Sequence, residues 1–395
     1  MSDMPPQYRP KKDLRSAITD AARVVIKVGS SSLTHPNGTL SVEAVDRLVD
    51  VIAQRHRSGR HVVLVTSGAI AAGIGPMGLV SRPKDLATAQ ATASVGQGLL
   101  VARYQEAFAR HGLQVGQVLL TADDTMRRGH YSNARRAIEK LLALGIVPII
   151  NENDAVATDE IRFGDNDRLA ALVSHIVRAD ALMLLTDVDG LYDGPPADAE
   201  TRRIPVVKNF SEIADVEVTS KGSAVGTGGM VSKLESVRIA TATGIPVVLT
   251  RASNIAKALD GQDVGTWFCV TGKRMTRRRL WLAYAARTQG TIFVDAGAVA
   301  AVLAGQASLL AAGVTGFAGE FEAGDPIEIV GPDGQAVARG LVAFDSLYLP
   351  EVVGQSTSEL RDALGAGFDR AVVHRDDLVL LHRKRAPAPS FPPVR

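Results

Sequence analysis

The sequence predicts an α/β protein: a large domain on a mainly parallel, buried sheet, followed by a small, mostly β domain. From Arg23 onward, short apolar runs of strand length alternate with longer segments of helical spacing, the pattern of repeated βαβ units. After Gly265 that rhythm gives way to a basic run and then to short strands punctuated by turn residues. The chain has 395 residues, 46% of them hydrophobic. That suffices for two or three domains of roughly 150 residues, each with a core.

The strands are expected at 24–28 (VVIKV), 62–66 (VVLVT), 116–121 (GQVLLT), 146–151 (IVPIIN), 181–186 (ALMLLT) and 246–250 (PVVLT). Helices are expected between them, among them Ser41 to Arg57 with Ser41 as N-cap, Asn133 to Ala143, and Asp167 to Arg178. The segment 87–100, ATAQATASVGQGLL, is helix-like and rich in small residues, which suits close backbone packing either at a subunit contact or beside a substrate. Beyond the basic run KRMTRRRLW at 273–281 come TIFVD, a helix near Ala298 to Leu303, IEIV, the turn GPDGQ at 331–335 and AVARGLVAF. The expected organisation is a mobile N-terminal extension over 1–22, the large domain over 23–270, a basic linker over 271–289, the small domain over 290–370, and a C-terminal segment and tail over 371–395.

Composition excludes several classes. A mean hydropathy of +0.09 with 44 Lys+Arg against 42 Asp+Glu rules out a disordered chain. The single Cys269 rules out a disulfide framework and a cysteine zinc site, and points to a reducing compartment. No apolar run reaches the length of a membrane span and the first residues lack the core of a secretory signal, so a soluble, cytoplasmic protein without membrane partners is expected. A net charge of +2 gives no long-range field for nucleic acid.

Three motifs are decoys. Gly73, Gly75 and Gly78 fit GxGxxG, but the preceding strand ends near Thr66, too early for a dinucleotide turn. VVIK at 24–27 and His374-Arg375-Asp376 echo protein-kinase elements, but no glycine-rich loop precedes Lys27, no DFG occurs, and HRD stands only about twenty residues from the C-terminus. There is no HExxH, and Ser67 is not in GxSxG.

The informative residues cluster where strands end. Lys27-Val-Gly29 followed by Ser30, Ser31 and Ser32 suits a loop whose N–H groups approach phosphate while the lysine neutralises it. A lysine inside VVIKV needs an anionic partner to offset burial. Thr66-Ser67-Gly68-Ala69 closes the second strand. Asn151-Glu152-Asn153-Asp154 closes the fourth, and Gly164-Asp165-Asn166-Asp167 precedes a helix; such amides and carboxylates suit an amino group, a metal or water. Thr186-Asp187 ends the fifth strand, and Gly226 to Lys233, GTGGMVSK, is a glycine-rich loop entering a helix with a second lysine. Open α/β sheets bind ligands at this edge.

Two lysines, glycine loops and acidic groups suited to Mg²⁺, with no activated nucleophile or histidine base, point to phosphoryl transfer. An acceptor carboxylate fits the lack of a base, since it is already ionised near neutral pH.

IKVGSSSLT, VTSGAIAAG, NENDAV, FGDNDRLAALV, LLTDVDGLY, GTGGMVSKL and GTWF, in this order, resemble the amino-acid kinase superfamily and within it the glutamate 5-kinases, from residue 23 to about 380. The resemblance implies a three-layer αβα sandwich and a PUA domain. It also implies ATP and Mg²⁺, phosphorylation of the side-chain carboxylate of L-glutamate as the first step of proline biosynthesis, feedback inhibition by proline, and a homo-oligomer, a dimer or tetramer. A glutamyl-phosphate reductase is an implied partner. Carried over by position, Lys27, Lys233 and Asp167 are catalytic, Asp167 holding the lysines. Ser67, Gly68, Asp154 and Asn166 bind glutamate. Lys27, Gly29, Thr186, Asp187, Thr227, Gly228, Gly229, Met230, Val231, Ser232 and Lys233 bind ATP, and Asp165 supports Asn166 or the metal. No protein ligand is assigned to Mg²⁺, which is held mainly by the ATP phosphates. The N-terminal extension departs from the family pattern.

Acetylglutamate kinase and aspartokinase share the fold with another acceptor, but lack this kind of C-terminal domain. RNA binding through Lys273, Arg274, Arg277, Arg278, Arg279 and Trp281 is the alternative of another class; a solvated connector explains the same run, and RNA is not the expected partner.

Overall fold

The computed structural model describes residues 15–35, 38–121, 124–125, 128–156, 166–195, 198, 200–213, 216, 229–272, 279, 282–283, 288–305, 307–365 and 367–381. The chain divides into two compact units, 1–274 and 275–395.

In the first unit the strands are β1 (Arg23–Val28), β2 (His61–Thr66), β3 (Val115–Leu120), β4 (Val147–Glu152), β5 (Ala181–Thr186), β6 (Val206–Val207), β7 (Val247–Arg251) and β8 (Thr266–Phe268). The helices are α1 (Ser16–Thr19), α2 (Val42–Arg57), α3 (Ala69–Ile74), α4 (Leu86–Ala109), α5 (Arg128–Ala143), α6 (Asn166–Ile176), α7 (Met230–Ala242) and α8 (Ile255–Leu259). One sheet runs β3-β4-β2-β1-β5-β7-β8-β6, parallel throughout except where β8 lies antiparallel to β7. The six expected strands are β1 to β5 and β7, each within one residue of its sequence bounds at either end. β6 and β8 are too short to carry a period of two.

Alternation along the strands sets the layers. Val24, Ile26 and Val28 of β1 join Val45, Leu48, Val49 and Ile52 of α2, Leu100 and Phe108 of α4, and Ile255 and Leu259 of α8 in one core. Val25 and Lys27 face the other way, where α6 packs on β1, β2, β4 and β5, and α7 packs on α6 and β7. The sheet thus lies between two helical layers, as expected. Ser41 caps α2 by accepting from the Ala44 N–H at 3.2 Å. Asp85 caps α4 in the same way from Thr88, and that bond lowers the pKa of its carboxyl.

The small residues of 87–100 serve packing inside the chain. A Cβ on Gly96 would meet the Ala69 carbonyl oxygen at 1.8 Å, and one on Gly73 would meet that of Thr92 at 2.1 Å. Helices α3 and α4 therefore touch backbone to backbone. Gly96→Ala is expected to cost about 3 kcal/mol or more, at the upper end of overpacking effects, and to lower Tm. Gly98→Ala, with nothing within 4 Å of the new Cβ, is the control and should leave Tm unchanged or higher in a thermal melt.

Two boundaries differ from expectation. The extension was expected to run to residue 22, but Ile18 and Ala21 are buried, and Arg55 donates to their carbonyls at 2.8 and 2.9 Å. Burial lowers the Arg55 pKa to about 10. The chain is thus tied down from α1 onward; residues 1–14 lie outside those described. The C-terminal segment was expected to begin at 371, but β13 (Val373–Leu380) pairs antiparallel with β12 (Ala336–Val342), so the second sheet runs to Leu380. The decoy His374-Arg375-Asp376 lies in that strand.

The second unit's sheet, in the order β10-β9-β11-β12-β13, also contains β9 (Gly290–Val294), β10 (Val314–Ala318) and β11 (Pro326–Val330). Helices α9 (Ala296–Leu303), α10 (Leu349–Val352) and α11 (Thr357–Leu364) accompany it. Ile292, Ile327, Ile329, Val337, Phe344 and Val373 form its core. The turn at 331–335 is closed by the Gly331 N–H donating to the Gln335 carbonyl at 3.0 Å. Within the expected linker, Leu282 and Ala283 are buried beside Val379 and Leu341 rather than solvated. Arg279 is exposed; Lys273, Arg274, Arg277, Arg278 and Trp281 lie outside the described residues.

Candidate active site

The C-terminal ends of β1, β2, β4 and β5 bring the polar clusters to one edge of the first sheet. Lys27, one residue before the end of β1, sits on the face covered by α6. Asp167 is the second residue of α6, and Lys233 lies in the first turn of α7. The Lys27 Nζ is 2.6 Å from Asp167 Oδ1, and the Lys233 Nζ donates to Asp167 Oδ2 at 3.1 Å. One carboxylate thus spans both ammonium groups. All three residues are buried: Lys27 is 4% exposed, Lys233 8% and Asp167 0%. The anionic partner that a lysine inside VVIKV demands is Asp167.

Two glycines border this triad. A Cβ on Gly29 would lie 3.7 Å from the Lys27 Nζ, so the backbone after β1 passes close beside the ammonium. Gly29 has extended backbone and leads into the 3₁₀ turn Ser30–Ser32. Gly229, also extended, begins α7, and the Ser232 hydroxyl donates to its carbonyl at 3.0 Å. The first-turn N–H groups of α7 and the Lys233 ammonium thus sit at one helix end, an arrangement suited to phosphate. Met230 is half-buried and Val231 exposed in that turn. Thr227, Gly228 and Asp165 lie outside the described residues.

A second set of side chains is joined by hydrogen bonds. Asn166, first residue of α6, donates through Nδ2 to the Ser67 hydroxyl at 3.1 Å, and its Oδ1 accepts from the Glu152 N–H at 3.3 Å. Glu152 N–H also donates to Asn151 Oδ1 at 2.9 Å, while Asn151 Nδ2 donates to Gln97 Oε1 at 2.7 Å. Gly68, at φ +109, needs glycine's freedom to turn the chain from β2 into α3. Beneath it Thr66 and Tyr104 share a hydrogen bond of 2.9 Å, and burial pushes the Tyr104 phenol pKa up. Asp154 is half-buried in the turn after β4.

Thr186 and Asp187 end β5, next to β1 in the sheet. The Thr186 hydroxyl donates to Asp187 Oδ1 at 2.8 Å, and Arg251 Nε donates to the Asp187 carbonyl at 3.0 Å. Among the described residues no group of three or more His, Cys, Asp or Glu side chains could hold a metal ion.

The structure brings Lys27, Asp167 and Lys233 together, and Ser67 with Asn166. Sequence reasoning missed Gln97 and Tyr104 as parts of this edge. Gln97 carried a faint signal, since it adjoins Gly96, whose contact with Ala69 places α4 beside the turn after β2.

The Amino acid kinase family model matches residues 22–251, and the PUA domain model matches residues 290–364. A glutamate 5-kinase of Streptomyces coelicolor is 58% identical over 369 residues, 93% of this chain and 99% of that protein. Glutamate 5-kinases of Bifidobacterium animalis subsp. lactis and Thermobifida fusca are 54% and 55% identical, over 94% and 93% of this chain and 99% and 95% of theirs. Among solved structures, a carbamate kinase from Giardia lamblia bound to AMP-PNP superposes with a TM-score of 0.47 at 18% identity, over 64% of this chain and 99% of that one, a likeness that bears on neither substrate nor nucleotide.

Proposed function

The chain belongs to the amino acid kinase family and, within it, to the glutamate 5-kinases, and from that premise we propose that the triad Lys27, Asp167 and Lys233 is the phosphoryl-transfer centre. The reaction is ATP-dependent phosphorylation of the side-chain carboxylate of L-glutamate, the first step of proline biosynthesis. The observation that carries the assignment of the centre is the single buried carboxylate shared by lysines from β1 and α7.

A glutamate carboxylate oxygen forms a bond to the γ-phosphorus as the bond from that phosphorus to the bridging β–γ oxygen breaks. The electron pair leaves with ADP, and no proton is removed from the acceptor. The obstacle is repulsion between two anions, and the lysines reduce it. A unit charge about 4 Å from the developing charge is worth on the order of 4 kcal/mol at an effective dielectric near 20, or roughly a thousandfold in rate. Asp167 fixes both ammonium groups, so their positions need no reorganisation during transfer. Gly29 and the start of α7 at Gly229 to Ser232 support a place for the phosphates, and Thr186 and Asp187 one for the rest of the nucleotide. Bound to the triphosphate, Mg²⁺ would supply further charge neutralisation there.

Ser67, Gly68, Asp154 and Asn166 are assigned to glutamate, with Asp154 taking the α-amino group. Asp154→Ala should therefore raise the KM for glutamate about tenfold or more, the worth of a hydrogen bond to a charged group. The KM for ATP should stay within twofold in initial-rate kinetics. A homo-oligomer belongs to the same reading; Val95 and Leu99, each 44% exposed on α4, give that helix an apolar outward face suited to a second copy. Inhibition by proline and hand-over of the acyl phosphate to a reductase complete it, in a soluble cytoplasmic enzyme. No helix among the described residues is long and apolar enough to cross a membrane.

The deciding experiment is ATP consumption with Mg²⁺ and, in turn, L-glutamate, L-aspartate and N-acetyl-L-glutamate, with hydroxylamine trapping any acyl phosphate as its hydroxamate. Hydroxamate with glutamate alone is expected. Hydroxamate only with another acceptor would leave the phosphoryl-transfer centre standing and remove glutamate.

A further inference from the structure

We infer that Gln97 is a specificity-determining residue for the amino-acid acceptor, its side-chain amide donating to the carboxylate that does not react; this rests on the function proposed above. The orientation of the amide follows from its neighbours. Asn151 Oδ1 accepts the Glu152 N–H at 2.9 Å, so Asn151 turns its Nδ2 to Gln97. Gln97 must answer with its oxygen, at 2.7 Å, which leaves its own NH₂ facing elsewhere. That Nε2 is buried and has no hydrogen-bond partner among the described residues. A buried donor without a partner is costly, and when it stands beside a binding site a ligand oxygen is the natural acceptor.

Location fits this use. Gln97 is one end of a chain of hydrogen bonds that runs through Asn151 and the Glu152 N–H to Asn166 and Ser67, two residues assigned to glutamate. Asn151 is 1% exposed, so it fixes Gln97 rather than competing with water for it. Gly96 holds this part of α4 against α3, directly after Ser67 and Gly68. Helix α4 packs with Val24, Ile26 and Val28 on the face of the sheet opposite to that of Lys27 and α6, which separates the amide from the reacting carboxylate and assigns it to the other one.

The test compares Gln97→Glu with Gln97→Leu in initial-rate kinetics, with wild type alongside and Tm measured for each. Gln97→Glu keeps an oxygen for Asn151 but replaces the donor with an anion; Gln97→Leu removes both. If Gln97 binds the substrate carboxylate, Gln97→Glu raises the KM for glutamate by about tenfold or more, and by more than Gln97→Leu does. In both, kcat at saturating glutamate and the KM for ATP stay within threefold. If Gln97 only buttresses Asn151, the order reverses and Gln97→Leu is the worse variant, which overturns the inference. An unchanged KM for glutamate in Gln97→Glu overturns it as well. A wild-type enzyme with no glutamate-dependent turnover would instead overturn the proposed function, and this inference with it. Should Gln97→Leu fail to fold, the near-isosteric Gln97→Glu decides alone by its KM.

Discussion

Lys233→Ala is expected to lower kcat by about two orders of magnitude or more, and Lys27→Ala to do the same. Each ammonium group neutralises charge that builds up as phosphorus moves between two oxygens, so its loss falls mainly on the transition state. The estimate of roughly a thousandfold per unit charge is an upper figure, since water entering the vacated space returns part of the screening. Folding should survive either change, because Asp167 keeps the other lysine within 2.6 or 3.1 Å. The measurement is kcat at saturating ATP and glutamate beside a thermal melt. A variant that melts near wild type and turns over near wild type would remove that lysine from the centre.

The six main strands were legible because both faces of this sheet are covered, which writes each strand as an unbroken apolar run. Lys27 stood out for the same reason: a charge within VVIKV has few explanations other than a buried counter-charge. That this charge would be Asp167, and that Asp167 would also hold Lys233, follows from α6 and α7 packing against each other, which no local pattern encodes. Gln97 and Tyr104 were hidden because a polar residue on a helix of small residues looks like any solvent-facing position until α3 and α4 close together. Ala21 and β13 escaped for a different reason. Prolines and charges around a domain end suggest solvent, yet a few buried side chains and the bonds from Arg55 are enough to bind such a segment. The GxGxxG and HRD decoys failed on context alone, one spanning the end of helix α3 and the turn after it, and one in an antiparallel strand.

Asp167→Asn should cost more stability than loss of either lysine, and ATP should recover part of it. The substitution is nearly isosteric, so it leaves no cavity and changes one thing: the negative charge shared by two ammonium groups that are 4% and 8% exposed. Breaking a buried ion pair by removing one partner costs about 3–5 kcal/mol. For a domain of this size that corresponds to a fall in Tm of roughly 6–20 °C. The two lysines then repel each other across a site that still excludes most water. A bound triphosphate supplies the missing negative charge at that place, so the rise in Tm on adding saturating MgATP should be larger in Asp167→Asn than in wild type. Turnover should nevertheless fall at least as far as in the lysine variants, because ammonium groups no longer fixed by a carboxylate must be reoriented in every cycle. Melts with and without MgATP, paired with kcat, separate these effects. A variant as stable as wild type, or one that ATP stabilises less than wild type, would show that Asp167 does not hold the two lysines for a phosphate.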